Sequence, residues 1–531
     1  MMTELDLIII ADYGTDSVSG SNPMKLTIDG QCADIQIIQK YLRDNGPLVK
    51  ESFGGAQQTW ASACHYNGIR LLDHLLKHGV RAALINDFSK ERVRFLQLLA
   101  LKPKLIALST TFILDKKSLQ RFHDEVRPLC GTIPLIVGGP FVYLSSLVAS
   151  RTDSDLYQTP EIRADYLFQD GDDPQFDLYI ISPTGEDSLV EAVKSVMSGG
   201  NFASVPNALT ITRGEPVLFP PIKGTSTPLD TIDWQNLPDE IFASGVVPMQ
   251  ASRGCPFRCA FCNFVKNREL QTVRPVETIV EEMQAVEARG AKYIWFVDDI
   301  FRLGSGNLND FSKAVISAGI DLQWMSFIRA DTIKGVDFTL LKKSGCLELQ
   351  LGLESASPEV LAAMNKKGDP LIYRQVIKSA LQAGINISAY FIFGHPKETE
   401  ASISRTIAFI QESSHPDLPG TFSWSFYPYL LVPLSPLFEL EARQQFGLQG
   451  YMHSWSHQTM DSDQAMQQIK KVFMTLKDTG PIYRGDDLRL ITALSAKARN
   501  KFYRLRHHFA QQQQTRSLTA KEIIEQFQPF F

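Results

Sequence analysis

The chain is poor in cysteine, with seven residues at 32, 64, 130, 255, 259, 262 and 346, an odd number with a single cluster. That excludes the dense, even disulfide framework of a secreted scaffold and leads us to expect a reducing, cytoplasmic setting. An excess of either charge is also lacking. The 53 Lys and Arg face 58 Asp and Glu, a net −5, which excludes non-specific coating of nucleic acid by the whole molecule. Long apolar runs are scarce too. Residues 418–438 carry no charge over roughly a membrane thickness, but Pro419, Pro428, Pro433 and Pro436 would break a spanning helix, so a buried strand with loops is expected there. The start, MMTELDLIIIADYG, has acids ahead of a short apolar run and lacks the basic beginning and small-residue cleavage site of a signal peptide. No internal repeat is evident, and QQQQ at 511–514 is the one low-complexity tract.

What is present is a globular composition, 44% hydrophobic and 21% charged, in a chain of 531 residues that is long enough for about three domains. Short continuous apolar runs at 5–11, 80–86, 104–110 and 133–138 read as strands buried on both faces, with helical stretches such as 69–78 and 117–127 between them. Residues 1–200 are therefore expected to form a doubly wound parallel sheet of Rossmann-like type. Pro and Gly crowd 201–243, which reads as a linker. A second alternation follows over 244–440, with strands expected at 247–251, 293–298, 323–328, 347–352, 387–393 and 422–430. Six such units imply a partial (β/α)6 TIM-like barrel whose chemistry lies at the carboxyl ends of its strands. From 441 to 531 the pattern becomes helical and polar. The fold class is α/β.

The first barrel strand leads into SRGCPFRCAFC, which spaces Cys255, Cys259 and Cys262 as C-x3-C-x2-C. Three thiolates on one loop select zinc, copper or an iron–sulfur cluster, and three are too few to close a structural site. A zinc site completed by Cys346 or His395 is the bland alternative. With an aromatic residue before its last cysteine, the motif resembles the signature of the radical S-adenosylmethionine (SAM) superfamily. The similarity continues in order through FVDDIF, SFIRAD, LQLGLESAS and FIFGHPKET, each at the end of an expected strand.

The resemblance implies a [4Fe-4S] cluster on Cys255, Cys259 and Cys262 with one iron left open to SAM. It implies that Asp298 and Asp299 meet the SAM amino group and Arg329 its carboxylate, that Glu354 and Ser355 lie near the ribose, and that Gly394, Pro396 and Glu398 cradle adenine with Phe261. Read singly, Asp298 could equally cap a helix, Arg329 pair with Asp331, and Glu354 be a solvated charge. The family's reductive cleavage of SAM gives a 5′-deoxyadenosyl radical, and the electron would come from a donor such as flavodoxin or ferredoxin.

The first domain resembles the cobalamin-binding domain of one branch of that superfamily, through GIRLLDHLLKHG, PKLIALSTT, LIVGGP and the TGED run. The resemblance implies a cobalamin site that includes Ser109, Thr110, Gly138, Gly139, Gly185 and Glu186. The D-x-H-x-x-G motif that supplies an axial histidine is absent: His65 and Gly68 are present, but Ala63 stands where the aspartate would be. By resemblance the reaction is cobalamin-dependent methylation of an unactivated centre on a small molecule or peptide. Rearrangement, cyclisation or oxidation without methylation is the alternative, and a non-catalytic iron–sulfur or zinc scaffold the alternative of another class.

Residues 153–187 hold ten acids against the single base Arg163 and read as a solvated insertion. Residues 466–531 hold twelve Lys or Arg against five acids. Within 495–516, Phe502, Leu505 and Phe509 recur at helical spacing, as expected for an amphipathic helix packed on the barrel.

Overall fold

The computed structural model describes residues 4–14, 24–45, 57–152, 154–212, 215–218, 229–264, 272–301 and 305–531. The chain divides into two units, Met1–Gly20 with Cys64–Leu237, and Ser21–Ala63 with Pro238–Phe531. None of the described helices is long and apolar enough to cross a membrane.

The first unit is built on β1 (Leu7–Ile10), β2 (Ala82–Ile85), β3 (Leu105–Ser109), β4 (Leu135–Gly138) and β5 (Leu178–Ile180), in the order β2-β1-β3-β4-β5 and all parallel. β1, β2, β3 and β5 are buried at every position, as strands covered by helices on both faces must be. The crossover direction reverses between β1 and β3, which makes their carboxyl ends the crevice of this sheet. A hairpin, β6 (Ala208–Thr212) and β7 (Glu215–Leu218), extends the sheet antiparallel to β5, so part of the segment read as a linker belongs to it.

The acidic stretch departs from the solvated loop expected of it. Pro160–Asp165 is helical, and Tyr157, Ile162, Tyr166, Leu167 and Phe176 are buried between the acids, which gives the segment a core of its own. Asp173 is drawn in with them; it accepts the Phe168 N–H at 3.0 Å, and burial pushes its pKa up to about 6.

The second unit carries β8 (Val246–Met249), β9 (Tyr293–Phe296), β10 (Gln323–Ile328), β11 (Cys346–Glu354), β12 (Asn386–Phe393), β13 (Phe422–Pro428) and the short β14 (Gly480–Pro481), parallel and in chain order. β8 and β14 do not pair, so the barrel is partial. Alternation along the strands separates its two faces. Phe391 meets Phe409 of helix Glu400–Ser413 on the outside, while its neighbour Tyr390 meets Phe327 and Tyr427 across the interior. Trp60, Ala63, Val246, Tyr293, Met325, Leu347 and Leu488 form one buried cluster at the strands' amino ends. Ala63, where the axial-histidine motif would place an aspartate, is thus a packing residue.

Helix Ala496–Gln513 packs on this unit as its periodicity implied, with Phe502 and Phe509 buried. Two of its bases are buried as well. Arg506 grips Asp486 through two hydrogen bonds of 2.7 and 2.8 Å and stacks 3.4 Å from the Tyr483 ring centroid. Arg499 donates to Thr421 Oγ1 at 2.8 Å and to the Pro419 carbonyl. The same Asp486 accepts the Ile35 N–H at 2.8 Å, which ties helix Ile35–Asn45 to the far end of the chain.

Candidate active site

β8 continues into Ser252–Arg253, which pairs with Thr272–Val273, and the cysteine loop issues from that pair at the carboxyl edge of the sheet. Its backbone is pinned from four sides. Gly254 N–H donates to Asp299 at 2.7 Å and Ala260 N–H to the Met364 carbonyl at 2.8 Å, while the Arg258 carbonyl accepts from Asn365 Nδ2 at 2.7 Å and the Ala260 carbonyl from Leu437 N–H at 3.0 Å. Cys255, Cys259 and Cys262 are all free and half-buried. Burial pushes the Cys255 thiol up and the Cys262 thiol up to about 11, and the Cys259 thiol beside both adds to the rise. A positively charged centre would reverse that preference by drawing out three thiolates.

The other expected SAM residues stand on the same edge, and several already serve the loop or one another. Asp298 is buried and accepts from the Ser252 backbone N–H and, at 2.7 Å, from its hydroxyl. Burial pushes its pKa up to about 7, with Asp299 beside it contributing. Arg329 follows β10 and makes the two-pronged pair with Asp331, at 2.9 and 2.8 Å, that its sequence neighbourhood allowed. Its remaining arm lies 3.8 Å from Cys259 Sγ, and its plane lies 3.8 Å from the Phe257 ring centroid. One guanidinium therefore links the cysteine loop to the end of β10.

Glu354 ends β11 at a bulge with φ +63° and pairs with Lys366 at 2.7 Å. It is not the solvated charge of the bland reading, because both side chains are largely buried. Ser355 is buried and accepts the Ser357 N–H at 3.1 Å. Gly394, after β12, has φ +92°, donates its N–H to Glu398 at 2.6 Å and accepts from His457 Nε2 at 2.9 Å. A side chain at Gly394 would meet Trp455 and Ala465 within 2.8 Å, so only glycine fits. Glu398 is buried, which pushes its pKa up to about 8. Phe261 sets its ring edge-on to His395 at 6.4 Å.

Sequence reasoning missed Lys366 and Tyr373 as members of this edge, and read Asp331 only as a possible partner of Arg329. Tyr373 is buried with its hydroxyl unpartnered and close enough to Arg329, Asp331, Glu354 and Cys259 to feel their charge. Asp331 closes the SFIRAD motif, but Lys366 and Tyr373 belong to no motif, and helix Pro370–Gln382 gives Tyr373 no sequence signal beyond periodicity. Neither residue offered to complete a zinc site does so. Cys346 opens β11 at the opposite, amino edge, and His395 Nδ1 faces the Pro396 carbonyl at 3.0 Å. Among the described residues, no three His, Cys, Asp or Glu side chains are grouped to hold a single metal ion.

The residues singled out in the first unit gather at its own carboxyl edge. Ser109, Gly138 and Ile180 stand side by side across β3, β4 and β5. Asn67 Nδ2 bridges the Ala11 carbonyl at 3.0 Å and Ser109 Oγ at 2.9 Å, spanning the point where the sheet's direction reverses. Thr110 donates its N–H and its hydroxyl to the Gly138 carbonyl. Gly139, at φ +106°, lies so close that a Cβ would stand 3.0 Å from Thr110 N, and one on Gly185 would stand 3.0 Å from Ile180. Glu186 is buried, with one carboxylate oxygen 3.6 Å from Arg70. His65 faces Asp12 at 3.5 Å and packs on Phe112.

Residues 249–410 match the family model described as the radical SAM superfamily. An uncharacterized methyltransferase of Pyrococcus horikoshii is 30% identical over 203 residues, 36% of this chain and 44% of that protein. The anaerobic magnesium-protoporphyrin IX monomethyl ester cyclase of Cereibacter sphaeroides is 28% identical over 283 residues, 50% of this chain and 45% of that protein. The chain thus spans less than half the length of these curated relatives. Among solved structures, the radical SAM methyltransferase TsrM of Kitasatospora setae, determined with cobalamin and a [4Fe-4S] cluster, shares the fold. Its TM-score is 0.55 at 14% identity, covering 83% of this chain and 78% of that one.

Proposed function

Taking as premise that residues 249–410 of this chain are a radical SAM domain, we propose that the protein is a radical SAM enzyme that methylates an unactivated centre with the help of cobalamin. The observation that carries the reading is the pinned loop presenting Cys255, Cys259 and Cys262 at the barrel's carboxyl edge, with Arg329 3.8 Å from Cys259 Sγ. The donor set fits an iron–sulfur cluster, since three soft thiolates on one half-buried loop leave one iron without a protein ligand. When bound, that cluster supplies the electron that cleaves SAM to a 5′-deoxyadenosyl radical.

The chain's own part is to bind, orient and exclude water. Asp299 and Asp298 hold the loop and the strand leading to it in register through Gly254 and Ser252. Arg329, oriented by Asp331, presents a cation beside the cluster ligands, suited to the SAM carboxylate. Glu354 and Ser355 would meet the ribose, and Phe261 with the Gly394, Pro396 and Glu398 turn would seat adenine. Trp455 and His457 back that turn and shut it from solvent.

In the first unit, the glycine-lined edge with the Ser109 hydroxyl and the Asn67 amide suits a flat ligand bearing amide side chains. Ser109, Thr110, Gly138, Gly139, Gly185 and Glu186 are assigned to cobalamin on that ground. A small-molecule or peptide substrate, a flavodoxin or ferredoxin reductant and a cytoplasmic setting complete the reading.

Ring closure or oxidation without methylation is the second reading, favoured by the similarity to the cyclase of Cereibacter sphaeroides. Anaerobic purification with iron and cobalt analysis, followed by turnover with methyl-labelled SAM, separates them. Methylation requires bound cobalt, S-adenosylhomocysteine and label in product. Product formed without S-adenosylhomocysteine would transfer the assignment to the second reading, and iron-free protein would defeat both.

A further inference from the structure

Arginines of the second unit are held in two ways, Arg499 by the Thr421 hydroxyl and the Pro419 carbonyl and others by acids. Arg274, Arg329, Arg489 and Arg506 each hold a carboxylate. Arg484 follows β14 and is half-buried among the strands, and among the described residues no carboxylate pairs with it. Its one hydrogen bond runs to the Tyr390 hydroxyl at 3.3 Å, leaving most of its donors unused. Beside it runs a strip of tilted rings, Phe327 to Tyr390 at 5.6 Å and Tyr390 to Tyr427 at 6.1 Å. Gly352 on the intervening strand is needed by the neighbouring ion pair rather than by the rings, since a Cβ there would lie 2.7 Å from Glu354 Oε1. Phe327, Tyr427 and Arg484 are half-buried, whereas Tyr390 between them is buried like the outward residues Ile387, Ala389, Phe391 and Phe393, so the guanidinium and the two outer rings are the part that a ligand can reach. Glu348 shares the barrel interior; it accepts the Ser388 hydroxyl at 2.7 Å and attracts Arg484 through space without a direct hydrogen bond. A half-buried guanidinium that is not directly paired to a carboxylate keeps donors free for a ligand's counter-charge.

We propose that Arg484 and the Phe327–Tyr390–Tyr427 strip form the substrate subsite of this barrel, and that they select a flat, unsaturated substrate bearing a carboxylate. The guanidinium takes the carboxylate through charge-assisted hydrogen bonds, and the rings take the flat body. The inference deepens the reading of this unit as the catalytic barrel and rests on it.

The test uses 2-naphthoate and its uncharged carboxamide as probes on the anaerobically reconstituted full chain, with binding followed by saturation-transfer NMR. No SAM turnover enters the readout, so its failure is separate from failure of the enzymatic reading. Naphthoate should bind at least about tenfold more tightly than the carboxamide, in keeping with a hydrogen bond to a charged group. Arg484→Met should abolish that preference and Arg484→Lys should keep part of it. Equal affinities, no naphthoate binding, or an unchanged preference in Arg484→Met overturns the proposal. Thermal melting supplies the second readout: Arg484→Met should melt no lower than the native chain. A fall of more than about 4 °C, reversed by adding Glu348→Gln, would make Arg484 a structural counter-ion instead.

Discussion

Replacing Gly394 by alanine tests how tightly the adenine turn is specified. The backbone there stands at φ +92°, and an added Cβ would come 2.6 Å from Trp455 Cη2, 2.7 Å from Ala465 Cβ and 2.8 Å from Trp455 Cζ2. Trp455 cannot swing aside freely. Its indole N–H donates to the Tyr429 carbonyl at 2.8 Å, and its ring stacks on His457 with centroids 5.1 Å apart. The left-handed conformation costs about 1–2 kcal/mol for a residue with a Cβ. Overpacking adds about 1–3 kcal/mol, for a combined loss of about 2–5 kcal/mol. Thermal melting should register this as a drop of roughly 3–7 °C in the transition of the second unit. Trp455→Ala in the Gly394→Ala background should recover part of the loss, because it removes two of the three close approaches. A drop below about 2 °C, or strictly additive single and double variants, would refute the reasoning.

Further expectations concern the same edge and its counterpart in the first unit. Lys366→Met leaves the Glu354 carboxylate buried without the partner it holds at 2.7 Å, and urea titration should show a loss of about 3–5 kcal/mol; a loss under about 1 would mean that the pair is solvated. Glu398, pushed up from 4.5 to about 8, keeps its proton in the folded state where the unfolded chain has lost it. Its contribution is therefore full below about pH 4.5 and is lost as pH rises toward 8. Glu398→Gln should accordingly lessen the decline in stability between pH 5 and pH 8, and an unchanged decline would remove Glu398 as its source. Gly139→Ala, at φ +106° and 3.0 Å from Thr110 N, should cost the first unit about 1–2 kcal/mol in the same assay, and a neutral result would show that the turn is not held against Thr110.

The first four strands were legible because each is a short, largely apolar run, a pattern that survives without tertiary context, whereas the three-residue β5 was too short to stand out. The order of motifs was legible for a related reason: a parallel strand and helix alternation returns every strand's carboxyl end to one edge, so Cys259, Asp298, Arg329, Glu354 and Gly394 had to share it. What could not be read depends on contacts between distant parts of the chain. Helix Ile35–Asn45 follows β1 in sequence, yet Ile35 and Gln36 bond to Asp486 and Gly485, and no local periodicity encodes a partner some 450 positions away. The burial of Arg506 could not be read from its helix because its acid, Asp486, lies outside it. The acidic stretch misled for the opposite reason: its charge count hid the buried Tyr157, Ile162 and Leu167 between the acids. Lys366 and Tyr373 enter the site through pairing and burial, which motif spacing does not register.

The central claim, an iron–sulfur centre on three cysteines with a vacant corner for SAM, is tested most directly by quantifying 5′-deoxyadenosine from the anaerobically reconstituted chain with SAM and dithionite. The native chain should release it and Cys259→Ala should not. Iron-loaded native protein that releases none, or undiminished release from Cys259→Ala, would contradict the account.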